Sequence, residues 1–215
     1  MKPASHAVLF DLDGVLLDSR AAMRRAILGT ATAALGTLVA DDALGPETDH
    51  LPHFEILSHL GVHDQDIALG PVWETALAVA ARETALFPEA VRSVRRLRSS
   101  GAAIGVVTMQ PRSRLPWLVP RELSSMFDVV VGWGDAEPKP SGAGIALALQ
   151  HLRVPASRAC FIGDSPSDIA AARAAGVASI GAEWGYTGPA LTHHTPDILL
   201  RDLSQVPRAV GELLG

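Results

Sequence analysis

Apolar residues run in short unbroken stretches along this chain, and segments with helical periodicity lie between them. Ala7-Val8-Leu9-Phe10, Ala103-Ile104-Gly105-Val106-Val107, Val129-Val130-Val131, Ala159-Cys160-Phe161-Ile162, Ala178-Ser179-Ile180 and Ile198-Leu199-Leu200 read as strands. Continuous rather than alternating apolar runs indicate strands covered on both faces, as in a parallel sheet. Glu89 to Ser99 places Val91, Val94 and Leu97 on one stripe and Arg92, Arg95, Arg96 and Arg98 around the rest, with Gly101 as a stop. Ser141 to Leu152, Ser167 to Ala175 and Ser204 to Leu214 read as further helices, Gly176 closing the second of them. The rhythm predicts an α/β protein with a doubly wound, mainly parallel, Rossmann-like sheet.

The first strand does not lead into an ordinary crossover. Residues 16 to 86 read as several helices: Ser19 to Leu35, a piece around His53 to Leu60, and Val72 to Leu86. A turn-rich stretch, Gly45 to His50, sits among them. An interruption of about 70 residues exceeds the dozen or so that a crossover needs. The expected organisation is therefore a core of residues 1–15 and 87–215 and a helical cap of residues 16–86, with specificity set around Gly45 to His50.

Charge and composition then narrow the partners. The net charge is −5 and the pI about 5.9, without a basic run, which argues against nucleic acid. An acidic protein gains nothing from its overall field for an anionic ligand, so a phosphate site must be built locally. No apolar run approaches the ~20 residues of a membrane span. Met1 to His6 lacks the apolar stretch of a secretory signal, and one cysteine, Cys160, fits a reducing compartment; a cytoplasmic location is expected.

Chemistry concentrates where the strands end. Asp11-Leu12-Asp13-Gly14-Val15 closes the first strand, and two carboxylates there suit a hard, oxygen-ligated cation such as Mg²⁺. An Asp-Gly turn is the plain alternative. Thr108 ends the second core strand, Lys139 follows the third between two prolines, and Gly163-Asp164-Ser165-Pro166-Ser167-Asp168 follows the fourth. Singly, Thr108 is an ordinary strand residue, Lys139 a solvated loop residue, and Asp164 and Asp168 helix-capping acids. Together they put acids, hydroxyl and ammonium at successive carboxyl ends of one sheet, which capping and turns do not require.

Those residues carry a resemblance. Phe10-Asp11-Leu12-Asp13-Gly14-Val15-Leu16-Leu17-Asp18-Ser19, Val107-Thr108, Pro138-Lys139-Pro140 and Gly163-Asp164-Ser165-Pro166-Ser167-Asp168-Ile169 resemble, in order and spacing, the motifs of the haloacid dehalogenase-like hydrolases. The similarity is to the phosphoglycolate-phosphatase and β-phosphoglucomutase-like branch. It covers most of residues 6 to 215, the insert matching only in type. It implies a Mg²⁺-dependent phosphatase acting on a small phosphorylated metabolite, with a movable cap. Asp11 would be the nucleophile and Asp13 the acid and base. The metal would be held by the Asp11 carboxylate, the Asp13 carbonyl and Asp164, with Asp168 supporting it through a water or as a hydrogen-bond acceptor behind the ligands. Thr108 and Lys139 would hold phosphoryl oxygens. Where the family often has Asn after the Thr, this chain has Met109 and then Gln110, so a backbone N–H at Met109 remains for phosphate but the side-chain donor is missing.

Other readings follow from the same residues. A phosphotransferase or sugar-phosphate mutase would share the nucleophile, and a non-catalytic binder of phosphorylated ligands would share the fold. Dehalogenation is disfavoured by Asp13, and phosphonate cleavage by the lack of any lysine between residues 16 and 86. The histidines at 50, 53, 59 and 63 form no tight ligand pair, and Gly61 between His59 and His63 argues for a helix end. Cys160 reads as core, Trp184 as loop packing, and Arg20, Arg24 and Arg25 as a solvated helix face.

Overall fold

The computed structural model describes residues 4–45, 48 and 51–215. The chain divides into two compact units, one comprising the chain up to Leu17 and from Leu86 onward, the other Asp18–Ala85.

The first unit is built on six strands: β1 (His6–Phe10), β4 (Ala102–Val107), β5 (Val129–Val131), β6 (Ala159–Gly163), β7 (Ala178–Ala182) and β8 (Ile198–Leu200). Their order is β5-β4-β1-β6-β7-β8, and every neighbouring pair is parallel. The α/β fold expected from the apolar runs is the fold present. Ala7 to Phe10 and all of β4 are buried, which is why these strands carry no polar alternation. Gly105 lets β4 lie flush with its neighbours, since a Cβ there would stand 2.4 Å from Leu9 Cδ2.

Helices α8 (Ala143–Leu152) and α9 (Pro166–Ala175) seal one side, where Ile145, Ala148, Leu149, Ala171 and Ala172 pack with Ala7, Leu9, Val107 and Phe161. Helix α5 (Ala90–Ser99) packs on β4 and against α10 (Val206–Leu214). Buried Ser93 Oγ donates to the Leu203 carbonyl at 2.9 Å and ties α5 to the turn before α10. The short helices α6 (Leu115–Leu118) and α7 (Arg121–Ser124) lie between β4 and β5.

The strand order reverses at β1. From it the chain winds outward through β4 and β5, then returns to β6 and winds the other way through β7 and β8. In such sheets the loops at the carboxyl ends diverge at the reversal and leave a crevice. Asp11 directly follows β1 and therefore stands at its mouth.

The second unit holds α1 (Arg20–Leu35), α2 (His53–His59), α3 (Gln65–Ala68) and α4 (Pro71–Ala80). Its core joins Ala22, Ala26, Ile27, Ala31, Leu57, Trp73 and Leu77. The His53 ring stacks on Trp73 with centroids 4.0 Å apart. Gly36 ends α1 in a left-handed cap, its N–H bonding to the Thr32 carbonyl. Two readings of this segment need correction. Val72 to Leu86 is not one helix: α4 stops at Ala80, a 3₁₀ turn spans Ala81–Glu83, and Ala85–Leu86 is a short strand (β3) paired with Leu17–Asp18 (β2). Pairing with Leu17–Asp18 holds Ala85–Leu86 extended, and Pro88 disfavours helical backbone at Phe87 after them. Nor is the arginine face simply solvated: Arg24 donates to the carbonyls of Asp41 and Leu44 at 3.2 and 3.0 Å, and Arg25 pairs with Glu83 at 2.6 Å. Of the Gly45–His50 stretch, Pro46, Glu47, Asp49 and His50 lie outside the described residues. No helix among the described residues is long and apolar enough to cross a membrane.

Candidate active site

Four strand ends deliver the site. Asp11 leaves β1 with its N–H bonded to the Ile162 carbonyl of β6 at 2.8 Å. The chain then turns through Gly14, whose φ of 78° only glycine adopts without strain and whose missing Cβ makes room for Asp164: a Cβ there would lie 2.2 Å from Asp164 Oδ2. Leu12 O accepts from the N–H groups of Leu16 and Leu17, fixing Asp13 in a tight loop.

Asp164 follows β6. Its Oδ2 accepts the Tyr186 backbone N–H at 2.6 Å, and Gly185 brings that backbone close, since a Cβ there would stand 2.2 Å from Asp164 Cβ. Asp168 opens α9 and does two things at once. Its Oδ2 accepts from the N–H groups of Asp164 and Ser165 and from Ser165 Oγ, while Ser165 Oγ accepts the Asp168 N–H, a reciprocal capping box. Its Oδ1 pairs with Lys139 Nζ at 2.5 Å. The capping and active-site readings of Asp168 are thus one arrangement.

Lys139 reaches in from the loop between β5 and α8. Its Nζ is 2.9 Å from Asp11 Oδ1 and 5.7 Å from the centre of the Phe161 ring, and its side chain is 6% exposed. It is not a solvated loop residue. Thr108 is buried at the end of β4, its N–H bonded to Val131 O and its Oγ1 accepting the Gln110 N–H. Met109 turns its side chain to solvent.

Ligand oxygens of Asp11, Asp164 and Asp168 all lie within 4.8 Å of one another. Three buried carboxylates face one ammonium, so with all of them ionised two negative charges stay uncompensated. An all-oxygen donor set of that size and charge fits a hard divalent cation, which takes oxygens at about 2.0–2.6 Å. Electrostatics agree. Burial, reinforced by the charges of Asp168, Asp164 and Asp13, drives Asp11 well above the usual carboxylate range although Lys139 opposes it. Burial, then the Asp168 charge, pushes Asp164 up to about 7 against the pull of the Tyr186 N–H. Burial works against the Lys139 ammonium, but Asp11 and Asp168 outweigh it and hold its pKa above the ordinary lysine value.

Two participants lie outside the sequence motifs. Gln110 Nε2 donates to Asp13 Oδ2 at 2.9 Å, and Arg114 donates to Gln110 Oε1 at 2.8 Å. The side-chain donor missing at Met109 is thus supplied one residue later, though it serves the carboxylate. The Tyr186 backbone N–H is the other, and a main-chain group leaves no signature in sequence. Trp184 Nε1 donates to the Val15 carbonyl at 3.1 Å, holding its loop, and Cys160 is a buried core residue whose thiol burial pushes up to about 12.

Comparison with known proteins places this geometry in context. The family model for haloacid dehalogenase-like hydrolases matches residues 6–176. Phosphoglycolate phosphatase of Pseudomonas savastanoi pv. phaseolicola is 32% identical over 211 residues, covering 93% of this chain and 77% of that one. Phosphoglycolate phosphatase of Yersinia pestis is 32% identical over 221 residues, covering 97% and 94%. Among solved structures, a haloacid dehalogenase-like family protein of Streptococcus pneumoniae superposes with a TM-score of 0.81 at 24% identity, covering 95% of this chain and 97% of that one, which speaks for the shared fold.

Proposed function

Because the chain belongs to the haloacid dehalogenase-like hydrolases, we propose that it is a Mg²⁺-dependent phosphatase that hydrolyses a small phosphorylated metabolite, phosphoglycolate-like or a sugar phosphate, through an aspartyl-phosphate on Asp11. The observation that carries this reading is the Lys139 bridge: one buried ammonium contacts both Asp11 and Asp168 at the crevice where the strand order reverses.

In the first step an Asp11 carboxylate oxygen attacks phosphorus, and Asp13 gives its proton to the departing oxygen. In the second, Asp13 takes a proton from water as the water attacks the aspartyl-phosphate, and Asp11 is released. Lys139 offsets the repulsion between two anions, and Thr108 and the Met109 N–H bind phosphoryl oxygens. Mg²⁺, held by Asp11, the Asp13 carbonyl and Asp164 with Asp168 in support, would add charge stabilisation where the phosphoryl group transfers. The Asp18–Ala85 unit acts as the substrate-selecting cap, and the reading places the enzyme in the cytoplasm. Phosphate release from a panel containing phosphoglycolate and sugar phosphates is expected with Mg²⁺ and not in excess EDTA; Ca²⁺ should inhibit. Turnover by demonstrably metal-free enzyme would sink the metal assignment, and silence across the panel the phosphatase.

Cation binding also has a reading independent of turnover. A carboxyl group whose pKa is raised on folding contributes full stability below its unfolded value of about 3.8 and loses it as pH climbs toward the folded value, about 7 for Asp164. Below about pH 7 a proton competes with a cation for that carboxylate, and at pH 5 the competition corresponds to roughly 3 kcal/mol. At about 2–4 °C per kcal/mol for a chain of this size, Mg²⁺ should raise Tm by on the order of 10 °C more at pH 8 than at pH 5. Equal Mg²⁺ increments at both values in scanning calorimetry would mean that these acids are not the ion's ligands.

A further inference from the structure

Helix α4 buries Trp73, Leu77 and Ala80 in the core of its own unit, yet its outer side is also apolar. Glu74 is the one charged residue among its ten. Val72, Thr75, Ala76 and Val79 recur at spacings of three and four, so they share a stripe about 120° round the helix from the buried one. Thr75 adds little polarity to it, because its hydroxyl donates back to the Pro71 carbonyl at 2.7 Å. Val72 and Val79 are 39% and 57% exposed, and Leu69, three residues before Val72, is 52% exposed. Single exposed apolar residues are ordinary, but a run of them along one helix marks a contact surface.

The ends of this surface carry opposite charges. Asp66 lies in α3 just before it, and Arg82 lies in the 3₁₀ turn just after it. Both are exposed, and among the described residues neither charged group has a partner within the chain. Glu83, next to Arg82, is taken by Arg25. A surface that runs from acid through apolar to base complements itself when a copy is laid over it in the opposite direction.

We propose that this face binds a second copy of the chain, with the two α4 helices antiparallel about a twofold axis near Thr75. Asp66 of each copy then meets the partner's Arg82, and the apolar stripes cover one another. Such an isologous contact closes on itself and forms a dimer rather than a filament. The small residues Thr75 and Ala76 at the crossing allow the helices to approach closely. A parallel arrangement would set Asp66 against the partner's Asp66. An anionic membrane surface is a poor occupant, because the chain carries a net charge of −5. One helix face is a small interface, so the dimer is weak and reversible. The proposal uses only the Asp18–Ala85 unit and does not depend on the phosphatase reading.

The test is sedimentation equilibrium of the full chain over about 1–100 µM, where an interface of this size should dissociate. A reversible rise in mass from 22.6 kDa toward twice that value is expected. Val79→Glu puts a charge into the apolar contact and should weaken association at least about tenfold. Asp66→Arg and Arg82→Asp each set like charges opposite one another and should weaken it at least about threefold. Mixing these two variants restores both ion pairs in a heterodimer, so the mixture should associate about as well as wild type. The three positions are exposed, and circular dichroism checks that each variant is folded. If one charge variant does not fold, the loss in the other still reads the ion pair. A chain that stays at 22.6 kDa throughout would overturn the proposal and leave the face to a different partner. Association that ignores Val79→Glu, or that does not recover when the charge variants are mixed, would overturn it too, since another surface or another arrangement would then hold the dimer.

Discussion

Asp13→Asn, given p-nitrophenyl phosphate, should release p-nitrophenolate in a burst of about one equivalent and then stall, because the first step needs no acid and the second still needs a base. The substitution is nearly isosteric, and an Asn carbonyl can still accept from Gln110 Nε2, so the loop geometry should survive. Asp11 is untouched and attacks as before. The aspartyl-phosphate therefore accumulates, and acid quench followed by mass spectrometry should find one phosphoryl group on the peptide containing Asp11. With an alkyl phosphate the departing alkoxide is too basic to leave unprotonated, and neither burst nor adduct should appear. Asp11→Asn should give no burst with either substrate. Steady turnover of folded Asp13→Asn without a burst or adduct would remove Asp13 from both proton transfers and favour direct attack by water.

Lys139→Ala should lose at least about 10²-fold in kcat/KM, of order 3 kcal/mol, the usual consequence of deleting a preorganised charge donor. The position of the ammonium strengthens that expectation. It contacts the nucleophile and Asp168 together, and it stays charged because the two acids outweigh its desolvation. Without it, the three buried carboxylates lose the ammonium that bridges two of them. Removing one partner of a buried ion pair costs about 3–5 kcal/mol, so the metal-free variant should melt well below wild type while Mg²⁺ recovers part of the difference. Lys139→Arg should not restore activity, since a planar guanidinium occupies different space from the compact ammonium that sits over the Phe161 ring. Wild-type kinetics from folded Lys139→Ala would mean that the phosphoryl charge is met elsewhere.

The strands were legible because β1, β4 and β6 are covered on both faces, which writes an unbroken apolar run into the chain. The reaching residues were legible because strand ends are where an open sheet exposes side chains. What sequence could not convey was contact across distance. Gln110 and Asp13 are 97 positions apart, and nothing in a Met-Gln-Pro stretch reveals which carboxylate the amide will meet. The anomaly at Met109 was visible, but its meaning required the turn that carries Gln110 inward. Helical periodicity persists past the end of α4 at Ala80, whereas the backbone answers to the pairing of β3 with β2. Asp168 shows a further limit: capping and ion pairing draw on the same atoms, so a choice between them was never available.

The place of β1 in the sheet also governs when this protein can begin to work. His6–Phe10 is synthesised well before its hydrogen-bonding neighbours, Ala102–Val107 and Ala159–Gly163. At about 5–20 residues per second, the nascent chain spends several seconds with β1 unpaired. Pairings this distant in sequence are slow to close and prone to intermolecular capture meanwhile. Asp168 emerges later still, so the acid cluster cannot assemble until β6 and the start of α9 have been made. Synthesis itself therefore acts as a timer: an arrested chain ending before β6 would carry Asp11 and Asp13 but neither Asp164 nor Asp168, and it would present to chaperones the strand around which the finished sheet is organised.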